Sequence, residues 1–379
     1  KQYYAKLALL VIWLTIQCFL LWQNGIVTTF EAEKYISLAR YFLKSGNFSS
    51  NKFWLYSTEI FLIAGTIKLH LNLIIVVVIQ LLLNLLSTVM FYKLAAFFLK
   101  NSTLAFLVTS LFIINIPYQV YNSFLFTESI FYSLTIIYSS YLLRLDKLTI
   151  TKIIFLLFFL VLISITRPTG VLFFVATVFF VFFRFLNHIF LWKKLVIACG
   201  VIIILLIVLN TMLQVGGSLD FMLPFKKENI ICEVNTTENA QIETLEKGNS
   251  VQGILYYVIH NKKQFFRLSK LKTISFFGLV RSYYSITHNI FLVLFFYPFY
   301  LLSFIGLWKM FVRKEQPFYY MLAIILLYWI TTLLTCDDWH NRFVLTIIPF
   351  IFLIGFSAFT KGSPVKENEN QKILHESTG

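Results

Sequence analysis

Residues 28–46 read TTFEAEKYISLARYFLKSG and stand between two long apolar regions. Wound at about 100° per residue, the stretch divides into two faces. Ala32, Tyr35, Ile36, Leu38, Ala39, Phe42 and Leu43 share a broad apolar arc, with Glu33, Ser37, Arg40 and Lys44 opposite. Gly46 followed by Asn47 is a fitting C-terminal stop. The pattern predicts an amphipathic helix lying on a bilayer surface. Glu31 breaks it, because the wheel sets this carboxylate beside Leu38 and Phe42 on the apolar arc. Two readings stand together. Thr28-Thr29-Phe30-Glu31 matches a capping box, in which the Glu satisfies an orphan backbone N–H. Equally, a carboxylate facing apolar surroundings at a membrane boundary is a candidate functional group.

Composition explains why the surroundings are a membrane. Of 379 residues, 59% are hydrophobic and 13% charged, with 43 Phe and 20 Tyr. A soluble chain cannot bury that much apolar surface, so the sequence predicts a polytopic membrane protein. The net charge of +15 is therefore not a sign of nucleic-acid binding. Most basic residues flank apolar segments, where they set orientation and meet anionic lipid headgroups. The first apolar segment has no small-residue cleavage pattern and is expected to be a retained anchor. Of the four cysteines, Cys18 and Cys199 fall inside apolar spans and none has metal-ligand spacing. Cys232 and Cys336 both fall in segments expected outside, where a disulfide between them is one possibility.

Crossing the hydrocarbon core takes about 20 apolar residues, and about ten segments are read as spans, those near 153–165 and 168–185 being short and therefore tilted or partly re-entrant. They lie near 7–22, 71–92, 103–121, 127–143, 153–165, 168–185, 195–213, 289–310, 317–335 and 343–359. The expected fold is all-α, a transmembrane helical bundle with in-plane amphipathic helices in its outer loops. Residues 1–215 form an N-terminal membrane module whose first outer loop, 24–70, carries the acidic stretch and a second amphipathic piece at 57–69. A long non-spanning region follows at 216–287, then C-terminal membrane helices at 288–360. Residues 361–379 are polar, without periodicity, and expected to be disordered and cytoplasmic. Short-loop Lys and Arg residues (Lys93/Lys100, Arg144–Lys152, Arg184–Lys194, Lys309–Lys314) all fall on one side. That side is expected to be the cytoplasm, with both termini. Residues 260–285 alternate Lys/Arg with Phe, Leu and Tyr and predict a further in-plane helix.

Four polar clusters reach the other side: Glu31 with Glu33, Thr127-Glu128, Arg167-Pro168, and Cys336-Asp337-Asp338-Trp339-His340-Asn341-Arg342. Their order is specific. One span precedes an acidic amphipathic helix of the form E-x-x-x-Y-x-x-x-A; a second amphipathic piece, a span opening with TE, an RPTG hairpin and finally DDWHNRFVLTIIPF follow. In this order the chain, up to about Phe359, resembles the GT-C superfamily of membrane glycosyltransferases. It is most similar to bacterial members related to protein mannosyltransferases and lipid A aminoarabinose transferases.

The resemblance implies an activity and a set of roles. Such enzymes move a sugar from a polyprenyl-phosphate donor to an extracytoplasmic acceptor by an inverting displacement, here at a bacterial plasma membrane. Their first outer loop carries an acidic base, usually Asp, and Glu31, four residues before Tyr35, takes its place with one extra methylene. The further candidate substrate-binding residues, taken from the polar clusters and outer loops, are Glu33, Tyr35, Lys52, Glu128, Arg167, Arg281, Asp338, His340 and Arg342. Bland roles stand beside these. Glu33 and Lys52 suit solvated charges, Arg342 suits ion pairing with Asp337 and Asp338, and Arg281 suits a lipid anchor. Arg167 and Glu128 suit a mutual pair inside the bundle, and His340 suits local structure or acceptor contact. The soluble stretches hold no Gly-rich nucleotide loop and no D-x-D pair, which disfavours a nucleotide-sugar donor, and nothing in the sequence calls for a metal or other cofactor. The competing class is a carrier or flippase of lipid-linked sugars. Carriers usually show paired repeats and mid-membrane polar residues, and no convincing repeat is present.

Overall fold

The computed structural model describes residues 2–185, 222–237, 240–245 and 248–360, with isolated positions between 192 and 203. The expected span at 195–213 and the tail at 361–379 lie outside the described residues. Within them the chain is helical, and its only extended pairings are two isolated parallel bridges, Val27 with Phe124 and Ile231 with Asp337.

The helices are α1 (Gln2–Asn24), α2 (Glu31–Ser45), α3 (Ser57–Lys68), α4 (Ile74–Leu99), α5 (Ser102–Ile113), α6 (Ile116–Gln119), α7 (Thr127–Leu143), α8 (Ile150–Thr166) and α9 (Val171–Phe185). After the long loop come α10 (Leu223–Lys226), α11 (Val251–His260), α12 (Lys262–Gly278), α13 (Ile286–Val312), α14 (Pro317–Leu334) and α15 (Arg342–Ser357). Six stretches are long and apolar enough to cross a membrane: 3–24, 74–99, 168–185, 286–312, 317–334 and 339–357. Counting the bent pair 102–113 and 116–123 as one broken span makes seven. The chain is thus an integral membrane protein, with these as its candidate spans among the described residues.

Two expected spans have a more particular form. The one near 103–121 bends by 60° after Ile113. Pro117, in the first turn of α6, has no N–H to continue the preceding helix, and Asn115 breaks the chain's helical course at φ −71°, ψ 80°. The expected span at 127–143 became α7, which has 17 residues and at 1.5 Å per residue is about 25 Å long. It is buried on all sides although it carries hydroxyls throughout. Those hydroxyls tie it to its neighbours. Tyr138 meets Thr177 at 2.6 Å, Ser139 meets Tyr320 at 2.7 Å, and Ser140 donates to the Met90 carbonyl at 2.6 Å. Hydroxyl contacts of this kind hold helices together where no water competes.

Around α7, α4 packs on one flank, α13 lies against α15, and α14 lies against α9. Gly306 permits the α13–α15 approach, because a Cβ there would stand 2.0 Å from the Ile354 carbonyl oxygen. α2 lies on α3 and buries Ala32, Tyr35, Ile36, Leu38 and Ala39, five of the seven residues expected on its apolar face.

Candidate functional site

Four chain segments meet at one end of the bundle, and each is steered there by a local device. The link before α2 is fixed by the first bridge, in which Val27 N donates to Ser123 O and Leu125 N donates to Val27 O. That pairing sets the start of α2 beside the start of α7, and so Glu31 beside Glu128. Arg167 ends α8 in an extended conformation, and the following turn closes tightly. A Cβ on Gly170 would lie 2.5 Å from the Ile163 carbonyl oxygen, so glycine alone fits. The fourth segment, 336–342, is held by the second bridge. Asp337 N donates to Ile230 O and Cys232 N to Asp337 O, and the expected candidate disulfide Cys232–Cys336 is formed, with Cα atoms 5.1 Å apart. His340 and Asn341 then take successive left-handed conformations, φ 54° and 60°, which turn Arg342 onto the start of α15. Such strained residues gather at ligand sites and switches.

The side chains form one charged lattice. Arg342 Nη1 lies 2.5 Å from Glu31 Oε2 and 3.0 Å from Glu128 Oε1. Arg167 pairs with the same Glu128 oxygen through Nη1, and through Nη2 with Asp338 Oδ2 at 3.0 Å. Glu128 is wholly buried, so without these guanidiniums its charge would be very costly. Tyr35 Oη donates to Glu31 Oε1 at 2.8 Å, and Lys34 approaches the same oxygen at 3.7 Å. Burial alone would raise the Glu31 carboxyl, but Arg342, then Arg167, Lys34 and the Tyr35 hydroxyl outweigh it and hold it at about 2.

Three expectations are corrected by this geometry. Glu31 is not a capping-box residue. α2 begins at Glu31 itself, its N-cap is Phe30 at φ 58°, and no side chain caps it. Arg342 does not pair with its neighbours Asp337 and Asp338, because α15 carries it toward Glu31 and Glu128 while the turn sends Asp338 to Arg167. Arg281 is neither a lipid anchor nor an open ligand. It is 3% exposed, paired with Asp337 and donating to Ser275 O and Oγ at 2.9 Å. The Arg167–Glu128 pair forms as expected for a pair inside the bundle. Glu33 is exposed, and Lys52 lies over the Phe53 ring at 5.1 Å with no carboxylate at ion-pair distance among the described residues.

Glu31 and Arg342 open onto a cleft of about 460 Å³. Its other walls are mostly aromatic and apolar, among them Phe30, Tyr121, Phe126, Trp339 and Leu292. Phe126 lies beneath the Arg342 guanidinium at 5.5 Å. Tyr284 stacks on His288 with centroids 4.1 Å apart and faces His340, so the expected His340 does line the site. Sequence reasoning passed over Tyr284 and His288, whose wall is assembled from separate segments.

It also passed over Glu59, although an acid inside the apolar run STEIFLIAG was a legible signal. Glu59 is fully buried near Glu128, and among the described residues its one side-chain hydrogen-bond partner is Gln80, whose Nε2 lies 3.5 Å from Oε1. Burial, with Glu128 adding to it, pushes its carboxyl well up, toward the neutral form. Among the described residues no group of three or more His, Cys, Asp or Glu side chains is placed to hold a metal ion. No protein family, curated protein or solved structure matches the chain.

Proposed function

We propose that this protein is a GT-C-type glycosyltransferase that moves a sugar from a polyprenyl phosphate to an acceptor at the extracytoplasmic face of a bacterial plasma membrane. One observation carries the reading. A carboxylate and a guanidinium, Glu31 and Arg342, stand in contact at the mouth of an otherwise aromatic and apolar cleft at the ends of membrane helices. Inverting transfer needs that pair. The acceptor hydroxyl oxygen forms the new bond to the anomeric carbon while the bond from that carbon to the phosphate oxygen breaks. The hydroxyl proton goes to Glu31 as general base. The electron pair leaves with the polyprenyl phosphate, which Arg342 receives, backed by Arg167. The apolar wall suits the start of the prenyl chain.

The ion pair makes the order of events specific. With Arg342 beside it, the Glu31 carboxylate, held at about 2, is a weak base. The donor phosphate competes for the guanidinium, and its arrival frees the carboxylate when a proton must be taken. The test is mass spectrometry of lipid-linked sugars and surface glycans in cells with and without the protein. It is followed by turnover of the affected donor by purified protein in nanodiscs. Loss of sugar from the polyprenyl phosphate, abolished in Glu31→Gln and kept in Glu33→Gln, supports the reading. A carrier of lipid-linked sugars would leave every donor covalently intact, and that result refutes it.

A further inference from the structure

The opposite end of the bundle holds a second cleft, of about 290 Å³, between α1 and α4. α1 packs chiefly on α5, so its other flank stands off from α4 and leaves a furrow. The floor is set by Trp13, whose Nε1 donates to Asn84 Oδ1 at 2.8 Å across the gap. Leu9, Leu10, Leu85 and Val89 form the walls, and Lys6 and Lys93 stand at the mouth. From Lys6 to Trp13, seven residues at 1.5 Å each give a furrow about 10 Å long. Both lysines are exposed, and neither is at ion-pair distance from a carboxylate among the described residues. Tyr92, only 4% exposed, also lines the furrow, and its hydroxyl has no hydrogen-bond partner among the described residues.

That last group is the informative one. A buried hydroxyl without a partner loses its hydration and regains nothing, so native structures rarely keep one. Here its residue lines, together with Lys6 and Lys93, an apolar trough near the ends of two candidate spans. We infer that the α1–α4 furrow binds one anionic phospholipid, its phosphate between Lys6 and Lys93 and accepting from Tyr92, its acyl chain lying along Leu9, Leu85 and Val89 onto Trp13. Basic pockets between membrane helices select lipids of this charge. The site lies at the other end of the molecule from Glu31 and is independent of the reaction proposed there.

Native mass spectrometry of the full-length protein in detergent, titrated with phosphatidylglycerol or phosphatidylcholine, tests it. The expected result is one phosphatidylglycerol retained at least tenfold more tightly than phosphatidylcholine. Lys6→Gln with Lys93→Gln abolishes that preference. Tyr92→Phe weakens retention severalfold while leaving the lipid-free protein's thermal stability unchanged or raised, because it removes only the unpartnered hydroxyl. Equal retention of the two lipids, or wild-type retention by the double variant, overturns the assignment. So does displacement of the lipid by millimolar inorganic phosphate, which would make this a free-anion site.

Discussion

Replacing Glu31 by Gln removes one negative charge and leaves shape almost unchanged, so it isolates the charge interactions of this carboxylate, the Arg342 pair foremost among them. The fall of the Glu31 carboxyl from 4.5 to about 2 corresponds to about 3 kcal/mol favouring the charged form, at 1.36 kcal/mol per pH unit. A quarter of the side chain is open to solvent, and screening trims the figure to about 2 kcal/mol. The sign follows from linkage. A carboxyl depressed in the folded state contributes stability that is complete above its unfolded value, near 4.5, and is lost as pH falls toward 2. Wild type should therefore exceed Glu31→Gln by about 2 kcal/mol at pH 6–7. The gap should be roughly halved near pH 3. The assay is unfolding in mixed micelles followed by Trp fluorescence at several pH values, with Glu33→Gln as control. Glu33 is solvent-exposed, and its variant should follow wild type throughout. A gap for Glu31→Gln that does not change between pH 7 and pH 3 would refute the ion pair. In the same preparations Glu31→Gln should lack sugar transfer, because an amide cannot take the acceptor's proton.

Further expectations follow from other contacts. Asp337→Asn leaves Arg281 buried without its counter-charge and should cost about 3–5 kcal/mol in the same unfolding assay; Arg281→Met with Asp337→Leu should cost less than either single change. Gly170→Ala drives a methyl into the Ile163 carbonyl and should destabilise by about 1–3 kcal/mol, whereas Gly65→Ala, with open space around the Cβ position, should not. Lys272, enclosed between α12 and α14, donates to the Leu333 and Thr335 carbonyls, and burial lowers its ammonium to about 7. Between pH 7 and about 10 the unfolded chain binds the proton that the folded chain has released, so wild-type stability rises with pH there. Lys272→Met should accordingly compare most favourably with wild type at pH 6, with that advantage shrinking steadily as pH rises toward about 10, measured as the difference in melting temperature.

The sequence alone determined the class of molecule and much of its local structure. Composition required a membrane, and the 3.6-residue period of 31–45 placed Ala32, Tyr35, Ile36, Leu38 and Ala39 on the buried face. Both follow from each residue's own chemistry and its neighbours a turn away. It also named the members of the charged cluster, because Glu31, Glu128, Arg167, Asp338 and Arg342 are charges at the ends of apolar segments, where a charge is conspicuous. What it could not supply was who pairs with whom. Nearness along the chain favoured Glu31 with Thr28, and Arg342 with Asp337 and Asp338. The folded chain instead joins Arg342 to Glu31 across 311 positions, and Arg167 to Asp338 across 171. Those partners are chosen by the Val27–Phe124 and Ile231–Asp337 bridges and by two left-handed residues before α15. The burial that makes Glu59 and Tyr92 informative is likewise a property of packed neighbours. A wheel shows which way a side chain faces on its own helix; whether another helix covers it is settled only when the bundle closes.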